Sequence, residues 1–190
     1  MPATTMINLT WHRDQAGYKL LTETTRTPAR IIGKGGPQKP YRPLEEFPAL
    51  LRVFASVQKT PEGVLDFIEK FGRLTQDPKG ESVPTVIGWI KLMEKRLLQV
   101  AGRQEDIPRN NLEAHLVTDR DKIHLEFRPS TLIDALWLQL GQELSGGTAI
   151  LKCMFCHQMF RAGPGTSRRA DATFCCDEHR IRFNSLARSL

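Results

Sequence analysis

The sequence predicts an α+β fold: a mostly helical body with one β-hairpin over residues 1–148, followed by a short cysteine-bearing module over residues 149–190. Three observations predict it. Apolar residues recur at helical spacing in separate stretches between residues 44 and 145. Between residues 112 and 128 that period gives way to alternation. All four cysteines of the 190-residue chain, Cys153, Cys156, Cys175 and Cys176, lie in its last 40 residues.

Composition narrows the class first. With 40% hydrophobic and 25% charged residues the chain is ordinary globular protein, which excludes wholesale disorder, collagen-like repeats and a disulfide scaffold. No apolar run approaches the ~20 residues of a membrane span. Met1 to Trp11 lacks the basic flank and apolar run of a secretory signal. The expectation is a cytoplasmic protein with reduced thiols and no membrane partner.

The body reads element by element. Residues 1–43 are weakly patterned and are expected to form a weakly structured N-terminal segment, with one short strand at Tyr18–Thr22. Ile31-Ile32-Gly33-Lys34-Gly35-Gly36-Pro37 predicts an end to regular structure. Its glycines lack the spacing of a phosphate-binding loop, and Pro37, Pro40 and Pro43 keep a helix from following, so a flexible basic connection is expected. Leu44 to Val57 predicts one helix, with Leu44, Phe47, Leu51, Phe54 and Ala55 near one face and Pro48 tolerated in the early turns. The next helix has a cap at Thr60, Pro61 at its first position, the stripe Val64, Leu65, Ile68 and Phe71, and a stop at Gly72. Pro84 to Ala101 predicts a third, lined by Val86, Ile90, Met93, Leu97 and Val100, with Trp89 half-buried and Gly102 ending it.

Residues 112–128 predict a hairpin with one buried face. Leu112, Ala114 and Leu116 alternate before the turn Thr118-Asp119-Arg120-Asp121, and Ile123, Leu125 and Phe127 after it. The turn aspartates are expected to bond their own backbone rather than a metal. A last helix starts at Ser130 or Thr131, is lined by Leu132, Ile133, Leu136, Leu140 and Leu144, and stops at Gly146-Gly147.

The C-terminal module carries the chemistry. Cys153-x-x-Cys156 is zinc-knuckle spacing, because the tight turn lets both sulfurs reach one tetrahedral ion near ~2.3 Å. The second pair of ligands comes from Cys175, Cys176 and His179. Cys175 with His179 is i, i+4 and Cys176 with His179 is i, i+3; both share one helical face, and spacing leaves the choice open. Three thiolates and one imidazole form a closed, structural zinc site with no position for water.

The residues run Cys153, Cys156, Phe160, then Arg169, Asp171, Phe174, Cys175, with Cys176, His179 and Arg180 after them. From about Phe127 to Leu190 this resembles the end of a group of bacterial proteins in which a helix leads into a short treble-clef zinc finger. Their pattern is Cys-x-x-Cys-x-x-x-Phe, then Arg-x-Asp-x-x-Phe-Cys-Ser-x-x-Cys-Arg. The finger is also similar to the C-terminal one of the CGNR zinc-finger group, with Cys-Asp-Glu-His-Arg where that group ends in Cys-Gly-Asn-Arg. The resemblance implies a treble clef, with Cys153, Cys156, Cys175 and His179 as the zinc ligands. It makes Cys176 a spare thiol.

Charge supplies the functional expectation. The net charge is +6, and it is uneven: residues 101–150 carry five basic and eight acidic side chains, residues 151–190 seven and three. Six of those seven are arginines: Arg161, Arg168, Arg169, Arg180, Arg182 and Arg188. The planar guanidinium fork suits phosphates and base edges, so a DNA or RNA partner is expected at these six residues. Two competing expectations are a finger docked on the body through its arginines, and a protein-interaction adaptor, with a partner or a second copy held through the body. His157 and Asn184 are the nearest approach to catalytic residues, and no nucleophile, base and orienter accompany them, so no enzyme is expected. Loss of the metal is expected to unfold residues 150–190 and leave the body intact.

Overall fold

The computed structural model describes residues 6–25, 27–98, 112–119, 122–145 and 148–187. It begins with strands β1 (Met6–Ile7), β2 (Trp11–Asp14), β3 (Tyr18–Leu21), β4 (Arg30–Gly33) and β5 (Gln38–Tyr41). β2 pairs antiparallel with β5, Trp11 opposite Tyr41 and Asp14 opposite Gln38. β3 pairs with β4, Tyr18 opposite Gly33. Between the two ladders the three residues 15–17 face the four residues 34–37. The backbone bonds continue through the mismatch, from Gln15 N–H to Pro37 O and from Lys34 N–H to Gly17 O, both 3.0 Å. The strands therefore form one bent two-stranded ribbon with a bulge at its middle.

Asp14 pins that bulge. Its carboxylate accepts the N–H groups of Ala16 and Gly36 at 2.9 Å and of Gly35 at 2.8 Å. Gly35 sits at φ +84°, and a Cβ on Gly36 would come within 2.5 Å of the Ala16 nitrogen, so the glycine string is what lets the ribbon bend. Over the described residues 6–25 and 27–43 this corrects the expectation of a weakly structured segment, within which β3 falls at the strand expected over Tyr18–Thr22, and of a flexible connection at Gly33–Pro37. Strands of four residues are too short to show a period, and their glycines and prolines mark a bulge inside the ribbon, not a break.

The expected helix over Leu44–Val57 is two: α1 (Pro43–Glu46) and α2 (Leu50–Ala55). Pro48 has no N–H to give and forces the preceding residue out of the helical region; Phe47 sits at φ −134°, ψ 74°. Helix α3 (Pro61–Phe71) follows with its caps as expected: the Thr60 hydroxyl accepts the Gly63 N–H at 3.1 Å, and Gly72 ends the helix at φ 79°. α3 lies against the ribbon, where the Trp11 indole N–H donates to Arg73 O at 2.7 Å and the Tyr41 hydroxyl donates to Phe71 O. Strand β6 (Glu81–Ser82) adds to β4, and α4 (Val83–Leu98) buries Val86, Ile90, Met93 and Leu97, with Trp89 half-buried. The continuation to Ala101 and Gly102 lies outside the described residues.

The hairpin forms as β7 (Leu112–Asp119) and β8 (Lys122–Pro129), with β1 parallel to β8 on its other edge. Its burial differs from the expectation. Leu125 is 38% exposed and Ala114 is exposed, whereas Glu126 is buried. Glu126 takes the Asn8 amide at 3.3 Å and the Arg128 guanidinium at 2.6 Å. Arg120 and Asp121 of its turn lie outside the described residues.

Helix α5 (Leu132–Ser145) is capped by Thr131, whose hydroxyl accepts the Asp134 N–H at 3.3 Å and donates to the Asp134 carboxylate. It buries Leu132, Ile133, Leu136 and Leu140; Leu144, expected on that face, is exposed. Gly146 and Gly147 lie outside the described residues. One core joins Trp11 and Ile31 of the ribbon to the apolar faces of α2, α3, α4 and α5. No helix among the described residues is long and apolar enough to cross a membrane.

Candidate metal centre

Strands β9 (Ala149–Lys152) and β10 (Met159–Ala162) pair antiparallel around the knuckle that holds Cys153 and Cys156. The knuckle is closed by two 3.0 Å bonds, Cys153 N–H to Gln158 O and His157 N–H to Cys153 O. His157 takes φ 58°, the left-handed turn that brings the chain back. The Met154 N–H donates to Thr173 O at 3.0 Å and so ties the following loop to the knuckle. Helix α6 (Asp177–Ala187) starts just after Cys175 and Cys176 and carries His179 in its first turn.

These elements bring Cys153, Cys156, Cys175 and His179 together, their donor atoms all within 4.8 Å of one another. A tetrahedral zinc with sulfur at ~2.3 Å and nitrogen at ~2.0 Å needs sulfur–sulfur separations of about 3.8 Å and sulfur–nitrogen separations of about 3.5 Å. Cys156 Sγ lies 3.8 Å from Cys175 Sγ, and Cys153 Sγ lies 3.9 Å from His179 Nδ1. Cys175 Sγ and His179 Nδ1 are closer, at 2.9 Å. The four residues could hold a metal ion. Cys176 is outside the group, its Sγ 3.9 Å from that of Cys175.

Ligation would need all three thiols to ionise. Burial opposes ionisation of Cys153, but the N–H groups of Cys156, Cys175 and Phe155 outweigh it and hold the thiol down at about 6. Burial and the neighbouring Cys153, Cys156 and Cys176 sulfurs push Cys175 up to about 12. Thiols packed this closely ionise together only with a cation among them. A second small core surrounds the group: Cys153, Phe160 and Ala162 are buried, and Phe155 and Phe174 pack on them. The Phe155 ring lies 5.0 Å from the His179 ring and Phe174 lies 5.3 Å from Phe183.

The arginines fall into two groups. Arg161, on β10, donates to Glu143 of α5 at 2.7 Å; Glu143 is 8% exposed and also takes Arg52 of α2 at 3.0 Å. Lys152, at the end of β9, repeats the arrangement on Glu94 of α4 at 2.8 Å, beside Lys59 at 2.5 Å. These side chains hold the hairpin to the body. The others pair within the module: Arg168 and Arg180 with Asp177, Arg169 with Asp171, and Arg182 with Glu178. Arg188 lies outside the described residues. Residues 163, 164 and 166–171, Arg168 and Arg169 among them, line an open cleft of about 540 Å³.

Glu94 and Glu143 were not singled out in the sequence. The signal for Glu143 is its position: it continues the Leu132, Leu136, Leu140 stripe by one helical step, where an apolar residue belongs. A carboxylate there needs a partner. No family model, curated protein or solved structure matches the chain.

Proposed function

We propose that residues 149–190 form a treble-clef zinc finger with Cys153, Cys156, Cys175 and His179 as ligands, and that the chain is a nucleic-acid-binding protein of the bacterial cytoplasm rather than an enzyme. Zinc is the metal that best suits three thiolates and one imidazole, and a full set of four protein ligands leaves no open position, so its role is structural. Zinc supplies folding energy to the outer part of the module, whose own core is small.

One observation carries the nucleic-acid reading. α6 leaves the metal cluster with little covering it. Phe183 turns toward Phe174, while Arg180 and Arg182 are 58% and 61% exposed and Arg169 of the adjoining loop is 88% exposed. Their pairs with Asp177, Glu178 and Asp171 are solvent-exposed, worth about 0–1 kcal/mol each, and exchange readily for phosphate. Arg161 has no part in this surface, because Glu143 holds it in the seam. A second reading, an adaptor for a protein partner, is favoured by Ile181 and Leu186, which stand 62% and 59% exposed on the same helix.

A salt titration separates the two. Affinity for duplex DNA or RNA should fall with salt by about one log unit per phosphate neutralised, and changing Arg180 and Arg182 together to Ala should flatten the slope by about two. Absence of binding to either polymer at low salt eliminates the nucleic-acid reading and leaves the adaptor. Metal analysis giving well under one zinc per chain removes the finger itself.

A further inference from the structure

We infer that the N-terminal ribbon carries a second contact for a nucleic-acid backbone: Arg13, Lys39 and Lys70 form a phosphodiester-binding patch where β2 and β5 meet the end of α3. This inference rests on the nucleic-acid reading and adds to it a site on the body, remote in sequence from the finger.

Register supplies the first observation. Arg13 and Lys39 are directly opposite partners in the β2–β5 ladder. Like charges in that position repel and destabilise a strand pair. The ribbon keeps them although a carboxylate in place of either would form a cross-strand pair. Arg13 lies with its guanidinium 4.3 Å from the centre of the Tyr41 ring and gives one N–H to Lys70 O at 3.0 Å. That leaves further donors of its fork for a ligand. The Lys70 ammonium stands 5.2 Å from the Phe71 ring. Arg13 and Lys39 are thus neighbours across the ladder and the Arg13 bond joins them to the end of α3 at Lys70, with Arg13 and Lys70 backed by aromatic faces.

The second observation concerns the anions. The finger's described arginines each have a carboxylate. Arg13, Lys39 and Lys70 have none in an ion pair among the described residues. Acidic residues are not lacking nearby, but none among the described residues forms an ion pair with these three cations, and several accept backbone N–H groups. Asp14 takes the N–H groups of Ala16, Gly35 and Gly36, Glu69 takes that of Tyr18, and Glu46 takes that of Arg42. With no carboxylate paired to Arg13, Lys39 or Lys70 among the described residues, the positive charge there is left for an external anion. A polymer with regularly spaced phosphates neutralises several such cations at once and releases their counterions.

The test uses the zinc-loaded 190-residue chain, with Lys39→Ala and Lys70→Ala combined. Both lysines are exposed, so the fold should be kept, which an unchanged melting temperature verifies. Binding to duplex DNA, single-stranded DNA and RNA of equal length is titrated with salt for the wild type, this variant, and the Arg180→Ala, Arg182→Ala variant. The expected result is a salt slope flattened by about two in the ribbon variant on whichever polymer binds. An unchanged slope in the ribbon variant, with the finger variant weakened, overturns the patch and leaves the nucleic-acid reading standing. A flattened slope in the ribbon variant alone supports the patch and removes the finger as the contact. No binding by the wild type to any of the three overturns both.

Discussion

Cys175 and Cys176 are adjacent in the chain and equal in chemistry, yet only one belongs to the group of four donors. Cys175→Ser should lose the metal and Cys176→Ser should keep it, read as metal per chain after dialysis; the reverse result would assign the site to the other register. Asp14 presents a different kind of residue-scale dependence. Its carboxylate serves three N–H groups of the ribbon's bulge, and those bonds hold its acid well below the usual carboxylate range despite burial. Asp14→Asn turns one acceptor into a donor facing an N–H and should cost on the order of 1–3 kcal/mol in a denaturant titration. The sign of the pH effect follows from the depressed acid. The stabilisation is complete above the unfolded carboxylate value of about 4 and is lost as pH falls through the lower folded value. Wild type should therefore lose stability below about pH 4 more steeply than the Asn variant.

At the scale of elements, the seam between body and module is built twice on one plan. β9 packs on α4 and β10 on α2, and each strand sends a cation to a body glutamate that already holds a body cation. Removing a buried carboxylate leaves both of its cations uncompensated. Glu143→Gln should destabilise the chain by about 2 kcal/mol, less than for a fully buried pair because Arg161 is half-exposed. Elements with strong local punctuation were legible in the sequence. Thr60-Pro61 and Gly72 bound α3 where expected, and the Cys-x-x-Cys turn marked the knuckle. Of the N-terminal strands only β3 was legible, at the short strand expected over Tyr18–Thr22; β2, β4 and β5 are four residues long and take their order from Asp14 and from α3 across the ribbon. Pro48 divides what looked like a continuous stripe. The hairpin's pattern gave its strands but not its burial, because β1, far off in sequence, pairs beside Glu126. Spacing left Cys175 and Cys176 open and only the resemblance implied Cys175; the structure groups Cys175 with His179 and the knuckle.

The whole molecule is organised around the β9–β10 hairpin, which belongs to two cores. Ile150 and Met159 sit in the body's core, while Cys153, Phe160 and Ala162 sit in the metal's. The Met159 N–H also donates to the Ser56 hydroxyl at 3.2 Å. This revises the expectation for metal loss. A chelator should strip hydrogen-exchange protection from the loop and α6, residues 163–187, while β9 and β10 stay protected with the body; loss of protection in the hairpin as well would show that the metal holds the seam. The same arrangement decides where the chain tolerates being cut. A stop codon placed after Ala162 removes α6 and half the metal ligands but leaves the body's wall standing, and the shortened protein should still melt cooperatively. Moved only fourteen residues earlier, to just before Ala149, the stop strips Ile150 and Met159 from the body's core and leaves Glu94 and Glu143 without their second cations. That shorter product should aggregate on expression.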